Sequence, residues 1–133
     1  MIEISTDKNK LQTEVIHQFL TETYWAKGRT LEEVKTSIKH CFCFGVYLDD
    51  KQVGFARIAT DYVVFAYLMD VFILPEYRGN GYSKLLIRTI NEEPQLQNCK
   101  IWMLKTADAH NLYNQFGYTE LKERNKLMER LLK

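Results

Sequence analysis

Arg78-Gly79-Asn80-Gly81-Tyr82-Ser83 is the stretch of this 133-residue chain whose residue types and spacing point most directly to chemistry. It follows a nearly continuous apolar run from Phe65 to Leu74 and precedes Leu85, Leu86 and Ile90, which recur at helical spacing. A strand that enters a glycine-rich turn and leaves as a helix directs several backbone N–H groups at one point, at the positive end of the helix dipole. Gly79 and Gly81 permit left-handed backbone and close approach by a ligand, and Arg78 adds a fixed positive charge. The ligand suited to such a turn is a phosphate or pyrophosphate. Two common phosphate motifs are excluded. Gly81-Tyr82-Ser83-Lys84 does not supply the P-loop ending, and Lys84 stands where a dinucleotide fingerprint needs its third glycine.

Other residues carry reactive groups in less specific settings. Asp70 is the lone carboxylate in the apolar run 65–74. Burial there would raise its pKa and suit it to proton transfer, or it bonds a neighbouring loop as a structural carboxylate. Tyr113 shares a helical face with Ala109, Leu112 and Phe116, which by itself reads as core packing. His110 carries an imidazole, a side chain suited to proton transfer, but sits off that face; His17 and His40 look incidental. Tyr24-Trp25-Ala26-Lys27-Gly28 is an aromatic break between two helices that could receive an aromatic or cationic amine, or simply cap the core.

The elements that must position these groups follow from periodicity. Residues 2–5 read as a short strand, residues 9–24 as an amphipathic helix on Leu11, Val15, Ile16, Phe19 and Leu20. Thr30 to Glu33 forms a capping box that opens a second helix with Leu31, Val34 and Ile38 on one stripe. Residues 41–48 and 52–60 are strands joined by the turn-like Asp49-Asp50-Lys51. The run 65–74 is a central strand, ended by Pro75 and Glu76. A helix over 81–92, a strand over 99–105, a short helix capped by Asp108 and stopped by Gly117, and a strand over 118–121 complete the order. Leu127, Met128, Leu131 and Leu132 have helical spacing in the tail. The sum is an α+β fold, a mixed sheet carrying about four helices, in one domain spanning 1–133.

Composition narrows the classes. Apolar residues make up 46% and charged residues 26%, as in a globular protein, and the net charge of +1 gives no broad field for nucleic acid. Three cysteines at unpaired spacing exclude a disulfide framework; Cys41 and Cys43 share a strand face but lack further ligands for zinc, and no metal site is expected. No apolar run is long enough for a bilayer span and the N-terminus is not a signal peptide, so a cytoplasmic location without membrane contact is expected.

The residues from Arg78 to Ser83, with Pro75-Glu76-Tyr77 ahead of them, resemble the acyl-coenzyme A pyrophosphate loop of the GNAT superfamily of N-acetyltransferases, Gln/Arg-x-x-Gly-x-Gly/Ala. Ser83 replaces the usual Gly or Ala and remains small. Ala109-His110-Asn111-Leu112-Tyr113-Asn114-Gln115-Phe116-Gly117-Tyr118 is similar to the late Ala-x-x-Leu-Tyr-x-x-x-Gly-Phe/Tyr segment of the same family. The resemblance covers about half the chain, in the right order. It implies acetyl-coenzyme A as co-substrate, held by the backbone of Val71, Phe72 and Ile73 beside a splayed strand pair and by Arg78, Gly79, Asn80, Gly81, Tyr82, Ser83 and Asn111. It implies direct attack of a neutral primary amine, of a small molecule or a peptide, on the thioester carbonyl. A strand backbone N–H would polarise that carbonyl, and Tyr113 would protonate the leaving sulfur. Asp70, His110 or a water chain would serve as base, and Tyr24 and Trp25 would line the acceptor pocket. The alternative is a catalytically silent acetyl-coenzyme A sensor that regulates a partner protein. A homodimer is compatible with either.

Overall fold

A computed structural model describes residues 1–132. Five strands, β1 (Ile2–Ser5), β2 (Phe42–Leu48), β3 (Lys51–Thr60), β4 (Phe65–Ile73) and β5 (Ile101–Leu104), form one sheet in sequence order. All neighbours are antiparallel except β4 and β5, which run parallel across the α3 connection. The helices are α1 (Thr13–Leu20), α2 (Leu31–His40), α3 (Tyr82–Asn91) and α4 (His110–Asn114). This is the α+β fold expected, with both helix pairs buried against a mixed sheet.

Two cores lie on the two faces of that sheet. Ile16, Leu20, Val34 and Ile38 from α1 and α2 pack with Phe55 and Phe72 on one face. Leu86, Ile87, Ile90 and Tyr113 from α3 and α4 pack with Phe44, Val46, Ile58 and Leu68 on the other. The Thr30 capping box is made as the sequence demands: the Thr30 hydroxyl accepts from the Glu33 N–H, and the Glu33 carboxylate accepts from the Thr30 N–H.

Two features of β4 position the site. First, a bulge interrupts its pairing with β3, because Phe55 faces Phe72 while Arg57 faces Met69. The extra residue falls at Asp70–Val71, and Asp70 adopts φ +54°, a left-handed angle that Asp tolerates better than most residues. Strict alternation from Ala66 and Leu68 would point Asp70 into the α3/α4 core. The bulge turns it to the opposite face instead. Second, β5 pairs with β4 only from Phe65 to Leu68. Residues 69–73 have no β5 partner, so the two parallel strands part and leave an opening.

Several expectations are corrected. The first helix is α-helical only over Thr13–Leu20, preceded by a 3₁₀ turn at Lys8–Lys10. The Thr23 hydroxyl ends it by donating to the Leu20 carbonyl at 2.7 Å and accepting from the Ala26 N–H at 3.2 Å. Tyr24 and Trp25 therefore lie in a loop. Asp108 does not cap α4; the Ala109 N–H is taken by the Thr106 hydroxyl at 3.0 Å. Residues 118–121 form no strand, and Leu127 to Leu132 form no helix. That tail is exposed, with Met128 96% and Leu131 77% accessible, so no apolar surface rewards one isolated helical turn.

Candidate active site

The opening between β4 and β5 continues into a cleft of about 500 Å³. Its floor is Val71, Phe72 and Ile73; one wall is Arg78, Gly79, Gly81, Tyr82 and Ser83; Ala109, Leu112 and Tyr113 of α4 face it; Phe19, Glu22, Thr23, Tyr24 and Trp25 close the far side. Eleven of the thirteen residues expected at the site, or the backbone beside them, thus meet in one cleft or directly beneath it once Asp70 is excepted. Asn80 and Asn111 are the two that do not line it.

The glycine turn has the construction that an anion site requires. Gly79 and Gly81 sit at φ +83° and +80°, and a Cβ at either would meet nothing within 4 Å. The glycines serve the backbone angle and leave the outer face of the turn open. Among the described residues, the N–H groups of residues 79–84 donate to no protein acceptor. They stand together at the N-terminus of α3, where the dipole favours negative charge. The Asn80 side chain turns inward, its amide donating to the Tyr77 carbonyl at 3.1 Å, and so braces the loop. Arg78 is exposed and anchors its Nε–H on the Ile73 carbonyl at 2.9 Å, which ties the turn to the end of β4. These residues fit a pyrophosphate, and the separated strands fit an extended arm with amide groups.

Tyr113 is 9% accessible, its ring edge-to-face with Tyr118 at 5.7 Å. The hydroxyls of Tyr47 and Tyr118 are sealed without a partner. That of Tyr113 has no partner among the described residues either, but it is not sealed, and its residue lines the cleft. Burial pushes its pKa up to about 12, so it is a proton-bearing donor throughout the physiological range.

Asp70 departs from the picture of an isolated carboxylate. Its Oδ2 accepts from Arg57 Nε at 2.9 Å and from Arg29 Nη1 at 2.5 Å, and its Oδ1 accepts from the Trp25 indole at 3.0 Å. Arg57 Nη2 also lies 2.9 Å from Oδ2. The side chain is 2% accessible and does not line the cleft. His110 and Asn111 are exposed on the outer side of α4, away from it. Sequence reasoning missed Arg29, Arg57 and Glu22. The available signal for Arg57 was a second lone charge, opposite to that of Asp70, in an adjacent apolar strand. Glu22 gave none: it is a surface-type residue two positions past the end of α1, and only the loop geometry brings it to the cleft. It is the one carboxylate among the described lining residues, and its side chain makes no hydrogen bond or ion pair among them.

Comparison with known proteins decides the family. The model of the acetyltransferase (GNAT) domain matches residues 39–120. The chain belongs to the GNAT acetyltransferase family. It is similar to a candidate GNAT acetyltransferase from Xanthomonas campestris pv. campestris, at 44% identity and a TM-score of 0.96, covering 99% of this chain and 94% of that one. It is 28% identical to a candidate acetyltransferase of Gibberella zeae over 90% of this chain and 80% of the relative. Arabidopsis thaliana glucosamine-6-phosphate N-acetyltransferase shares the fold at a TM-score of 0.68 and 13% identity. Membership makes this chain an acyltransferase. Among the described residues, no helix is long and apolar enough to cross a membrane, and no cluster of His, Cys, Asp or Glu could hold a metal ion.

Proposed function

We propose that this GNAT enzyme transfers an acetyl group from acetyl-coenzyme A to a primary amine of a small molecule or peptide, by direct attack while both are bound. The observation that carries the reading is that one cleft holds both an open cradle of unpartnered amides at residues 79–84 and the free hydroxyl of Tyr113. Acetyl-coenzyme A supplies an activated thioester; everything else is the work of the chain. The amides of 79–84 and Arg78 take the pyrophosphate. The β4 backbone from Val71 to Ile73, unpaired on its β5 side, receives the pantetheine arm and presents an N–H to the carbonyl oxygen. Tyr113 donates to the departing sulfur.

Proton removal from the amine falls to Glu22 in this reading. Asp70 has its acceptor positions filled by two guanidiniums and an indole, whereas Glu22 stands on the cleft wall beside Tyr24 and Trp25. A carboxylate flanked by aromatic rings also attracts a protonated amine before it is deprotonated. Three free thiols fit a reducing compartment, and the enzyme is taken as cytoplasmic. Initial rates with both substrates varied test the mechanism. Intersecting double-reciprocal lines and an unchanged intact protein mass are expected. Parallel lines with an acetylated protein would refute direct transfer.

A further inference from the structure

The cluster around Asp70 joins parts of the molecule that the reaction keeps separate. We infer that Asp70 is a positioning residue, a latch that fixes the acceptor-side loop onto the β4 bulge, so that the acceptor wall and the thioester floor are held as one body. The inference rests on the acetyltransferase reading of the cleft for its consequence, though not for its geometry.

Three segments meet at this carboxylate. Asp70 itself forms the bulge at φ +54°. Arg57 reaches it from β3, the partner strand, and is in turn flanked by Cys41 Sγ at 3.4 Å and Met69 Sδ at 3.6 Å. Trp25 and Arg29 reach it from the loop between α1 and α2. The chain neighbours of Asp70 on one side are Val71, Phe72 and Ile73, the cleft floor. The chain neighbours of Trp25 are Thr23 and Tyr24, the acceptor wall. Asp70 is thus one peptide away from the thioester floor, and through Trp25 it holds the opposite wall.

The loop has few other ties to the sheet. Its internal hydrogen bonds, Gly28 N–H to the Thr21 carbonyl and Arg29 N–H to the Ala26 carbonyl, close the loop on itself. Ala26 is its buried apolar anchor. The Trp25 indole bond and the Arg29 ion pair to Asp70 together orient the aromatic pair Tyr24–Trp25, whose rings meet edge-on at 5.2 Å. The two arginines and the Trp25 indole occupy the Asp70 carboxylate, which is buried and does not line the cleft, so it is placed to hold the loop rather than to meet an amine.

Two substitutions separate this role from its competitors. Asp70→Asn keeps a side chain that tolerates the left-handed angle, so the bulge survives while the ionic ties are lost. Arg29→Gln cuts the ionic loop tie and leaves the Trp25 indole bond and the Arg57 contact within the sheet. Misplacing a reacting group by about 1 Å can cost on the order of 10²-fold in rate. For both variants we expect kcat/KM for the amine to fall about tenfold or more, with acetyl-coenzyme A affinity within about twofold of the parent. The pH profile of the residual activity should keep its acidic limb, and backbone amides of residues 21–30 should exchange faster with solvent deuterium in the absence of any substrate. Loss of the acidic limb in Asp70→Asn would make Asp70 the base and overturn the inference. Parental amine kinetics together with parental exchange of residues 21–30 in both variants would also overturn it. The exchange measurement needs no turnover, so failure of the latch is distinguishable from failure of the acetyltransferase reading, which would show as a parent protein that acetylates no amine while its loop still loosens in the variants.

Discussion

Tyr113→Phe removes one hydroxyl and tests the acid role. The ring is 9% accessible and packs on Tyr118, so its burial is retained. The hydroxyl has no partner among the described residues, so the usual loss of about 1 kcal/mol for a buried hydrogen bond does not arise. Stability should stay within about 0.5 kcal/mol of the parent. The rate effect can be bounded. Burial holds the Tyr113 pKa at about 12. A thiol has an ordinary pKa of about 8.5, so complete proton transfer to a thiolate would run roughly 3.5 units uphill, on the order of 5 kcal/mol. Burial raises a thiol as well and narrows that gap, but donation of a hydrogen bond to the developing charge is the less costly form. Hydrogen bonds to charged groups contribute about 1.5–3 kcal/mol, which corresponds to a rate loss of about 10- to 10²-fold. The assay is single-turnover acetyl transfer, because product release often limits kcat. Acetyl-coenzyme A affinity, read by calorimetry, should not change. The deficit should shrink with a thioester whose thiol is more acidic. A chemical step at the parental rate would reduce Tyr113 to a packing residue.

Gly81→Glu should abolish acetyl-coenzyme A binding, expected in the parent at micromolar Kd or about −8 kcal/mol, whereas Gly81→Ala should cost about 1–2 kcal/mol of stability from the φ of +80° and retain most affinity. Calorimetry that finds equal affinity for Gly81→Glu would remove the loop assignment. Glu22→Gln should lower kcat/KM for amines by about 10²-fold and flatten its acidic limb, with unchanged cofactor affinity; a parental pH profile would exclude Glu22 as base. Alkali should destabilise the fold. Burial raises Cys43 from 9.0 and Tyr47 and Tyr113 from 10.0, each to about 12, and pushes Tyr118 up as well. The folded state keeps these protons where the unfolded chain has lost them. Their contribution is therefore full below pH about 9 and is lost as pH rises toward 12, by up to about 1.4 kcal/mol per group per pH unit. Thermal melts from pH 8 to 11 should show this fall, and it should be shallower in Tyr113→Phe.

The parts of the site legible in the sequence are those written locally. The glycine turn, its preceding strand and α3 follow from a short run of residues whose φ requirements and apolar spacing are self-contained. Tyr113 was legible as a candidate for either acid or packing residue; that its hydroxyl stands without a partner among the described residues, at the cleft, was not. A bond from Asp70 to a neighbouring loop was legible as one of its two readings, but the partners were hidden by alternation. Two residues past Leu68 it reads as facing the α3/α4 core, and nothing in the strand pattern signals the bulge that turns it toward Arg29 and Arg57. The loop after α1 was obscured because Thr23 ends the helix by a side-chain bond, within a segment whose apolar spacing continues through residue 24. The tail failed in the opposite sense. Leu127, Met128, Leu131 and Leu132 have a helical period, but period alone forms no helix where no surface is offered for burial.

Incubation of the protein with acetyl-coenzyme A labelled in the acetyl group, across a panel of primary amines and peptides, tests the central claim most directly. One or more amines should acquire the label, with one free coenzyme A thiol released per amide formed and no label left on the protein. Tight binding of acetyl-coenzyme A with neither label transfer nor thiol release for any amine would contradict it and leave a sensor in place of an enzyme.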